Sequence, residues 1–261
     1  MTRLLRTMGR KTLVLTSRRE RGLRDVRPVR LECGVLQHAE GSAWIRCGNT
    51  WVLCSATVEP GGAPSFAKDR GLGWVTAEYD MLPRSCPVRL PRGVTGSAGR
   101  RKAEIARLIG RSLRAVCRLD RICDHLVVVD CDVLQADGGT RMAAVTAGFC
   151  ALALACQWMI DQGLAAQMPL RGYVAGVSVG VVDGQLVVDL DSGEDARAAV
   201  DLNVVMTDGG GLVEIQATGE RGPFDFDLLR RLVEVARPAV DRLIWHQKQA
   251  LGKMGVKLPD A

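Results

Sequence analysis

The pattern of hydrophobic positions changes type near the middle of the chain. Residues 125–136 are rich in β-branched and other apolar side chains, which is typical of a buried strand. Residues 142–160 are rich in alanine and apolar almost all round, which is typical of a buried helix. Between them lie Asp137-Gly138-Gly139-Thr140-Arg141, which we call the DGGTR turn. The pattern therefore predicts a strand, a glycine turn and a helix N-terminus in succession.

The rest of the pattern predicts a mixed α/β fold. Apolar positions with helical spacing predict helices over 102–116 and 224–251, the second with a break or kink at Pro238. Alternating positions predict further strands, which cover 27–33, 41–47, 50–58, 74–79, 174–182, 185–190, 200–206 and 212–217. Turn sequences such as Gly48-Asn49 and Asp183-Gly184 join several of these strands into antiparallel hairpins. A purely doubly wound sheet is therefore excluded.

The chain divides into one predicted domain and two short ends. No linker of convincing length interrupts residues 25–252, so we predict a single domain there. Residues 1–24 contain eight Lys and Arg but a single acid, Glu20, and show no clear periodicity, which predicts a flexible basic arm. A transit peptide, or a start codon assigned too early, would give the same composition. Residues 253–261 form a C-terminal tail.

The DGGTR turn has the chemistry of an anion-binding site. Two glycines let the backbone approach a ligand closely, and the first N–H groups of a helix have no partner within it. Thr140 adds a hydroxyl, and Arg141 adds a guanidinium that matches phosphate oxygens. The alternative is an ordinary helix start with Asp137 or Thr140 as N-cap. That alternative does not account for an arginine in the first turn, where the helix dipole disfavours a cation.

Cysteine and histidine usage argues against a disulfide framework and a zinc site. The chain has nine cysteines, an odd number without a CxxC pair, and most of them lie in apolar segments. This favours reduced, buried thiols in a cytoplasmic protein. The three histidines are widely separated and lack metal-ligand spacing. No apolar run was expected to span a bilayer, because Thr146 and Gln157 interrupt 142–160, which comes nearest.

The positive charge is concentrated in two places. The net charge is +6, and besides the arm a second basic segment, residues 81–118, contains ten Lys and Arg against the single acid Glu104. Such a segment indicates a polyanionic partner. Four of its arginines follow helical spacing and fit an ordinary solvated helix face: Arg107, Arg111, Arg114 and Arg118. That explanation does not cover four others in a Pro/Gly-rich loop: Arg84, Arg89, Arg92 and Arg100.

Acidic residues cluster between two predicted strands. They are Asp189, Asp191, Glu194, Asp195 and Asp201. Mg²⁺ is commonly held by one or two carboxylates together with substrate phosphate oxygens, so the segment is a candidate metal site. A solvated acidic loop would give the same spacing. Asp201 is less readily explained in that way, because it adjoins the apolar strand 202–206.

One motif in the chain matches a catalytic pattern that its context rejects. Gly176-Val-Ser-Val-Gly180 fits GxSxG, but the nucleophile elbow requires a strand, a sharp turn and a helix. Ser178 lies within a predicted strand that a hairpin joins to another strand. The chain also lacks a Walker A lysine loop, which favours inorganic phosphate as a reactant over nucleotide hydrolysis.

Several longer segments resemble the ribonuclease PH family of phosphorolytic 3′→5′ exoribonucleases, which trim transfer-RNA precursors. The resemblance covers roughly residues 27–252. Its segments are KDRGLGWVTAEYDML at 68–82, DCDVLQADGGTR at 130–141, VSVG at 177–180, ED at 194–195 and DLNVVMT at 201–207. The resemblance implies a ribosomal protein S5 domain 2-like α/β fold, a homohexamer built as a trimer of dimers, and RNA, chiefly 3′-extended tRNA, as substrate.

The resemblance also implies roles for particular residues. Inorganic phosphate, the co-substrate, would be bound by Arg101, Gly139, Thr140 and Arg141. The catalytic pair Asp195 and Asp201 would hold Mg²⁺ and assist departure of the 3′ oxygen. RNA would be gripped by Arg84, Arg89 and Arg92.

The chain departs from the family pattern at four positions near these residues. Ser192 replaces an aromatic residue, Ala196 a serine, Leu202 a methionine and Asp80 a glycine. Both candidate aspartates are retained, so we expect activity, with Asp80 adding negative charge near the basic loop. The alternative function is a non-catalytic RNA-binding subunit of an exosome-like ring. Retention of the phosphate-binding and acidic residues disfavours it.

Overall fold

The computed structural model describes Arg18 and residues 21–92 and 97–258. Its strands are β1 (Val29–Cys33), β2 (Gly41–Cys47), β3 (Thr50–Glu59), β4 (Trp74–Met81), β5 (Leu126–Gln135), β6 (Val174–Val182), β7 (Gln185–Val188), β8 (Val200–Thr207) and β9 (Leu212–Gly219). Its helices are α1 (Ser65–Lys68), α2 (Ser97–Arg114), α3 (Leu119–Ile122), α4 (Thr140–Asp161), α5 (Ser192–Asp195) and α6 (Phe226–Lys253).

The strands form two sheets. The first has the order β1-β2-β3-β5-β4, with β4 parallel to β5 and the other pairs antiparallel. The second is antiparallel throughout, with the order β7-β6-β8-β9. The predicted hairpins at Gly48-Asn49 and Asp183-Gly184 are the β2–β3 and β6–β7 connections. The predicted mixed α/β fold is therefore confirmed.

Helix α4 is the central element of the core. It packs against β2, β3 and β5 of the first sheet and against β6 of the second. The approach to β2 is so close that a Cβ on Gly41 would lie 1.9 Å from the carbonyl oxygen of Ala151. The prediction about bilayer length was wrong, because this helix has 22 residues and a mean hydropathy of 1.7 in its most apolar window. Of that window, 78% is buried inside the protein, as in a core helix.

Three predicted elements differ from the structure. Helix α2 begins at Ser97 rather than at 102, so Arg100 and Arg101 belong to its first turns instead of a loop. Helix α6 continues through Pro238, so of the predicted break or kink the break is wrong; the buried residues Ala236, Ala239 and Val240 continue its packed face across that position. The acidic segment includes the short helix α5 rather than only a loop.

Two residues of the predicted arm are attached to the fold. Arg18 and Arg21 form ion pairs with Glu194, and their side chains are 18% and 8% exposed. This part of the predicted flexible arm is thus fixed by side-chain contacts. The arm residues before Arg18, and residues 19 and 20, lie outside the described residues.

Candidate active site

The DGGTR turn needs glycine at both of its glycine positions. Gly138 and Gly139 have φ angles of 75° and 67°, in the left-handed region that favours glycine. A Cβ on Gly138 would also lie 2.4 Å from the carbonyl oxygen of Leu190. Gly139 is the N-cap of α4, and no side chain in the described part of the chain caps that end of the helix. The alternative with Asp137 or Thr140 as N-cap is therefore wrong, and the first-turn N–H groups lack a side-chain cap.

Two residues that the sequence did not single out hold the turn from behind. Thr50 Oγ donates to the carbonyl oxygen of Gly138 over 2.7 Å and accepts from Asp137 N over 3.0 Å. The guanidinium of Arg27 donates to the carbonyl oxygens of Asp137 and Gly138. The backbone acceptors of the turn are thereby satisfied by the fold.

Arg27 forms a buried ion pair with Asp189. Its side chain is 1% exposed, and its Nε and Nη2 donate to the two carboxylate oxygens over 2.9 and 2.7 Å. The backbone N–H of Arg27 donates to the same carboxylate over 2.7 Å. Burial disfavours the charged forms of both groups, but the attraction and hydrogen bonds between them outweigh this effect. The ion pair therefore raises the pKa of Arg27 and lowers the pKa of Asp189. Both groups are therefore charged at neutral pH.

We expect Arg27→Met to lower the free energy of unfolding by about 3–5 kcal/mol, because it leaves the buried charge of Asp189 without its main partner. Arg30→Met is the matched control. Arg30 pairs with Glu32 at the surface, where its side chain is 69% exposed, so the loss should stay below about 1 kcal/mol. Urea unfolding at pH 7 measures both values. Equal values for the two variants would contradict the assigned role of Arg27.

The two predicted phosphate-binding arginines meet at one cavity. It has a volume of about 290 Å³ and is lined by Arg100, Arg101, Glu104, Ile105, Arg141 and Gln216. Arg101 comes from α2 and Arg141 from α4, so packing of these two helices creates the pairing. Arg141 Nη1 donates to Gln216 Oε1 over 3.1 Å, which orients the guanidinium at the cavity wall.

Tyr79 and Gln216 are residues of this site that the sequence analysis missed. The hydroxyl groups of Tyr79 and Thr140 are 2.9 Å apart and hydrogen-bonded. Burial raises the pKa of Tyr79 to about 12, so its hydroxyl stays protonated. Tyr79 lay within a segment that resembled the family, and this was the one signal that could have identified it. Gln216 carried no such signal.

Asp201 lies on β8 in an environment that disfavours its charge. One of its carboxylate oxygens, Oδ1, is buried and has no hydrogen-bond partner among the described residues. The other accepts from Asn203 Nδ2 over 3.4 Å. Burial and the nearby charge of Asp195 raise the pKa of Asp201 to about 6, although Arg141 acts in the opposite direction. A perturbed carboxyl group of this kind beside a cavity arginine is a candidate functional group.

The short helix that carries Asp195 is attached to the DGGTR turn at its first residue. Asp195 is the last residue of α5, and Ser192, the first, donates its hydroxyl to Asp137 Oδ1 over 2.6 Å. Ser192, one of the four departures from the family pattern, thus connects α5 to the DGGTR turn. The side chain of Asp195 is exposed, and its charge reaches Asp201.

The other acids of the segment have structural partners, so the five predicted carboxylates do not form one site. Asp189 pairs with Arg27, Glu194 pairs with Arg18, and Asp191 caps α5. Across the described residues, no group of three or more His, Cys, Asp or Glu side chains could hold a metal ion. What remains is the pair Asp195 and Asp201, which fits a metal bound through one or two carboxylates.

The predicted RNA-binding arginines lie on the surface. Arg84, Arg89 and Arg92 are all exposed, and residues 93–96 of the same loop lie outside the described residues. The extra charge of Asp80 is neutralised locally, because Lys102 Nζ forms an ion pair with it. Arg111 is exposed and pairs with Glu214, as expected of a solvated helix face. Arg114 differs from that expectation, because it is half-buried, stacks over Trp74 and donates to the carbonyl oxygen of Val75.

Ser178 is not a nucleophile elbow. It lies in the middle of β6, is 5% exposed, and accepts a hydrogen bond from Leu190 N over 3.1 Å. The prediction that Ser178 lies within a strand rather than at a strand-turn-helix elbow is confirmed.

Comparisons with known proteins show the family of this chain. The model of the 3′ exoribonuclease family, domain 1, matches residues 25–156, and that of domain 2 matches residues 172–239. Ribonuclease PH of Moorella thermoacetica is 49% identical over 239 residues, which are 91% of this chain and 95% of that protein. Ribonuclease PH of Solibacter usitatus is 47% identical over 228 residues, 87% of this chain and 95% of that protein.

Solved structures share the fold at lower identity. An archaeal exosome core is similar with a TM-score of 0.71 and 22% identity, covering 87% of this chain and 89% of that one. The Archaeoglobus fulgidus exosome with RNA bound to the active site is similar with a TM-score of 0.73 and 22% identity, covering 85% and 89%. The two matched family domains together span most of the described residues, and the two relatives align with 91% and 87% of the chain. The chain therefore belongs to the 3′ exoribonuclease family, in its ribonuclease PH group of phosphate-dependent 3′→5′ exoribonucleases.

Proposed function

We propose that this enzyme trims the 3′ ends of transfer-RNA precursors by phosphorolysis, with Arg101, Arg141, Asp195 and Asp201 as its central residues. One observation carries the assignment of the site. Arginines from two different helices line one cavity, and Arg141 is within electrostatic reach of the half-buried carboxyl group of Asp201. This arrangement offers cations for a phosphate and a carboxyl group for the reacting RNA.

The reaction follows from these groups. Inorganic phosphate is held by the guanidinium groups of Arg101 and Arg141 and by the hydroxyl of Thr140 and the N–H groups at Gly139 and Thr140. One of its oxygens attacks the phosphorus of the last phosphodiester. A new P–O–P bond forms, and the bond from that phosphorus to the 3′ oxygen of the preceding nucleotide breaks. That oxygen takes up a proton, and the last nucleotide leaves as a nucleoside 5′-diphosphate.

The acidic pair fits a divalent cation. Asp201 Oδ1 is buried without a hydrogen-bond partner in the described part of the chain, and the charge of Asp195 adds to the local negative potential. Asp195 and Asp201 would hold Mg²⁺ together with substrate oxygens. When bound, the ion supplies neutralisation of the charge on the transferred phosphoryl group. The carboxylates themselves orient the 3′ end of the RNA.

The rest of the molecule supports binding and assembly. The exposed side chains of Arg84, Arg89 and Arg92 would contact RNA phosphates upstream of the reacting end. The proposed assembly is a cytoplasmic homohexamer, a trimer of dimers. Exposed apolar side chains such as Leu212 and Phe226, 54% and 77% exposed, support burial of part of this surface between subunits. Light scattering coupled to size-exclusion chromatography measures the assembly, and a monomer would contradict it.

A product analysis tests the proposed function. A 3′-extended transfer RNA is incubated with the enzyme and Mg²⁺, with and without phosphate, and the released mononucleotides are identified. We expect nucleoside diphosphates only when phosphate is present. Monophosphates in both reactions would indicate hydrolysis. Bound RNA without any mononucleotide would instead favour the non-catalytic ring subunit, which the presence of Arg141 and Asp201 disfavours.

The carboxyl group of Asp201 should titrate near pH 6 in protein free of divalent cations, about two units above an ordinary aspartate. Because the charge of Asp195 raises this pKa, Asp195→Asn should lower it. Because Arg141 lowers it, Arg141→Ala should raise it further. Carbon-13 NMR of the carboxyl groups, assigned with Asp201→Asn, measures all three. A titration near pH 4 in the unmodified protein would contradict the burial of Asp201.

A further inference from the structure

Two arginines of the N-terminal segment bind the carboxylate of Glu194, the residue before Asp195. Arg18 Nε and Nη2 donate to the two carboxylate oxygens of Glu194 over 2.6 and 2.7 Å, a bidentate pair. Arg21 Nη2 donates to the same carboxylate over 3.3 Å. Glu194 is 5% exposed, so these contacts are largely shielded from solvent. The arginines hold Glu194 charged, because their hydrogen bonds and charges outweigh its partial burial and lower its pKa.

Glu194 also determines the geometry of α5. Its carboxylate accepts from Asp191 N over 3.1 Å, and Asp191 Oδ1 accepts from Glu194 N over 2.9 Å, which forms a capping box. A helix of four residues has too few hydrogen bonds to be stable alone. The orientation of its last residue, Asp195, therefore depends on the side-chain contacts that Glu194 makes.

The same two arginines also contact the residues that hold the DGGTR turn in place. Arg21 Nη1 lies 3.3 Å from Asp189 Oδ2, and Arg21 Nη2 donates to the Asp189 carbonyl oxygen over 2.8 Å. Arg18 Nη2 donates to the carbonyl oxygen of Val188 over 3.0 Å. Asp189 is the partner of Arg27, which binds the carbonyl oxygens of the DGGTR turn. The arginines thus connect the acidic helix to the phosphate-binding turn through side chains that are mostly buried.

We propose that Arg18 and Arg21 are positioning residues for phosphorolysis, which fix Asp195 of α5 relative to the DGGTR turn through Glu194 and Asp189. The inference rests on the proposed function, because it assigns the reaction to Asp195 and to the turn. It gives the last part of the basic N-terminal segment a role in turnover that is separate from attraction of RNA.

Variants that remove the charge of Arg18 or of Glu194 test this role. Arg18→Gln removes the bidentate pair, and Glu194→Gln removes the charge while an amide keeps the capping box. Each should lower kcat by about tenfold, since small displacements of reacting groups cost of this order or more. The Kd for RNA should change by less than about twofold, because Arg84, Arg89 and Arg92 are untouched. The double variant should be no slower than either single one, since the two residues act as a unit.

Arg24→Gln is the matched control. Arg24 is an exposed arginine of the same segment, and no hydrogen bond or ion pair of its side chain is found among the described residues. Mn²⁺ binding followed by electron paramagnetic resonance provides a readout that a merely stabilising contact would leave unchanged. We expect Arg18→Gln to weaken it about tenfold, the scale of losses when groups that orient a metal ligand are removed. Circular dichroism confirms that each variant is folded, and Arg18→Lys replaces Arg18→Gln if that variant unfolds.

Asp195→Asn separates failure of this inference from failure of the proposed function. If Asp195→Asn keeps normal kcat, the proposed site itself is wrong. If Asp195→Asn is slow while folded Arg18→Gln matches Arg24→Gln in kcat and in Mn²⁺ binding, the positioning role alone is overturned. Additive losses in the Arg18→Gln/Glu194→Gln double variant would also overturn it.

Discussion

Arg141→Ala lowers kcat/KM for phosphorolysis by about a thousandfold, the scale seen when an arginine is removed from a phosphoryl-transfer site. Arg141 lines the cavity with Arg101 and lies at the N-terminus of α4, where we propose that its guanidinium binds the attacking phosphate. Arg141→Lys keeps the charge but loses the planar fork, so its loss should be intermediate. Steady-state rates at varied phosphate concentration measure both variants.

The control for this prediction is Arg107→Ala. Arg107 is exposed on α2 and has no hydrogen bond or ion pair among the described residues. Its kcat/KM should stay within about twofold of the unmodified enzyme, since surface substitutions away from special features have small effects. RNA affinity should be largely retained in Arg141→Ala, because other arginines contact the RNA. An unchanged dependence on phosphate in Arg141→Ala would refute the assignment of the anion site.

Asp201→Asn lowers kcat by about a hundredfold or more, because the amide neither carries the charge nor binds a divalent cation as a carboxylate does. The stability of this variant should not fall together with its activity. Burial makes ionisation of Asp201 unfavourable in the folded state, so a neutral side chain there should not lower the free energy of unfolding at pH 8 in the absence of divalent cations. Single-turnover rates and urea unfolding measure the two effects.

Asp183→Asn is the matched substitution for Asp201→Asn. Asp183 lies at the β6–β7 turn with a φ of 49°, a conformation that asparagine adopts readily, and its side chain is 74% exposed. The Asp183→Asn substitution should leave both turnover and stability unchanged. Near-normal turnover of Asp201→Asn would remove Asp201 from the mechanism, and a large loss of stability would mean that its carboxylate has a structural partner instead.

Local patterns predicted the core of the site, and distant contacts decided its surroundings. The strand, the glycine turn and the buried helix around Gly138 and Gly139 follow from residues adjacent in sequence, so periodicity was sufficient. The hydrogen bond from Thr50 to Gly138 joins residues 88 positions apart, and that from Arg141 to Gln216 joins residues 75 positions apart. Neither residue carries a local pattern that indicates its partner, so sequence reasoning alone missed both roles.

In the acidic segment as well, contacts with distant residues decide which carboxylates have structural partners. The sequence analysis set Asp201 apart because it adjoins an apolar strand, but Asp189 directly follows the apolar strand β7, so that argument does not distinguish the two. The fold separates them: Asp189 is surrounded by arginines, while Asp201 has an oxygen without a hydrogen-bond partner among the described residues. The family resemblance singled out Asp201 together with Asp195, and the roles that it implies for them stay predictions.

The support behind the DGGTR turn has a consequence for the energetics of phosphate capture. Arg27 and Thr50 hold the carbonyl groups of the turn, and its two glycines are packed closely against other parts of the fold. The entropy lost in ordering this loop therefore belongs to folding rather than to binding. Phosphate needs to offset only its own immobilisation and dehydration, which allows a small anion with few atoms to be bound at a preorganised site.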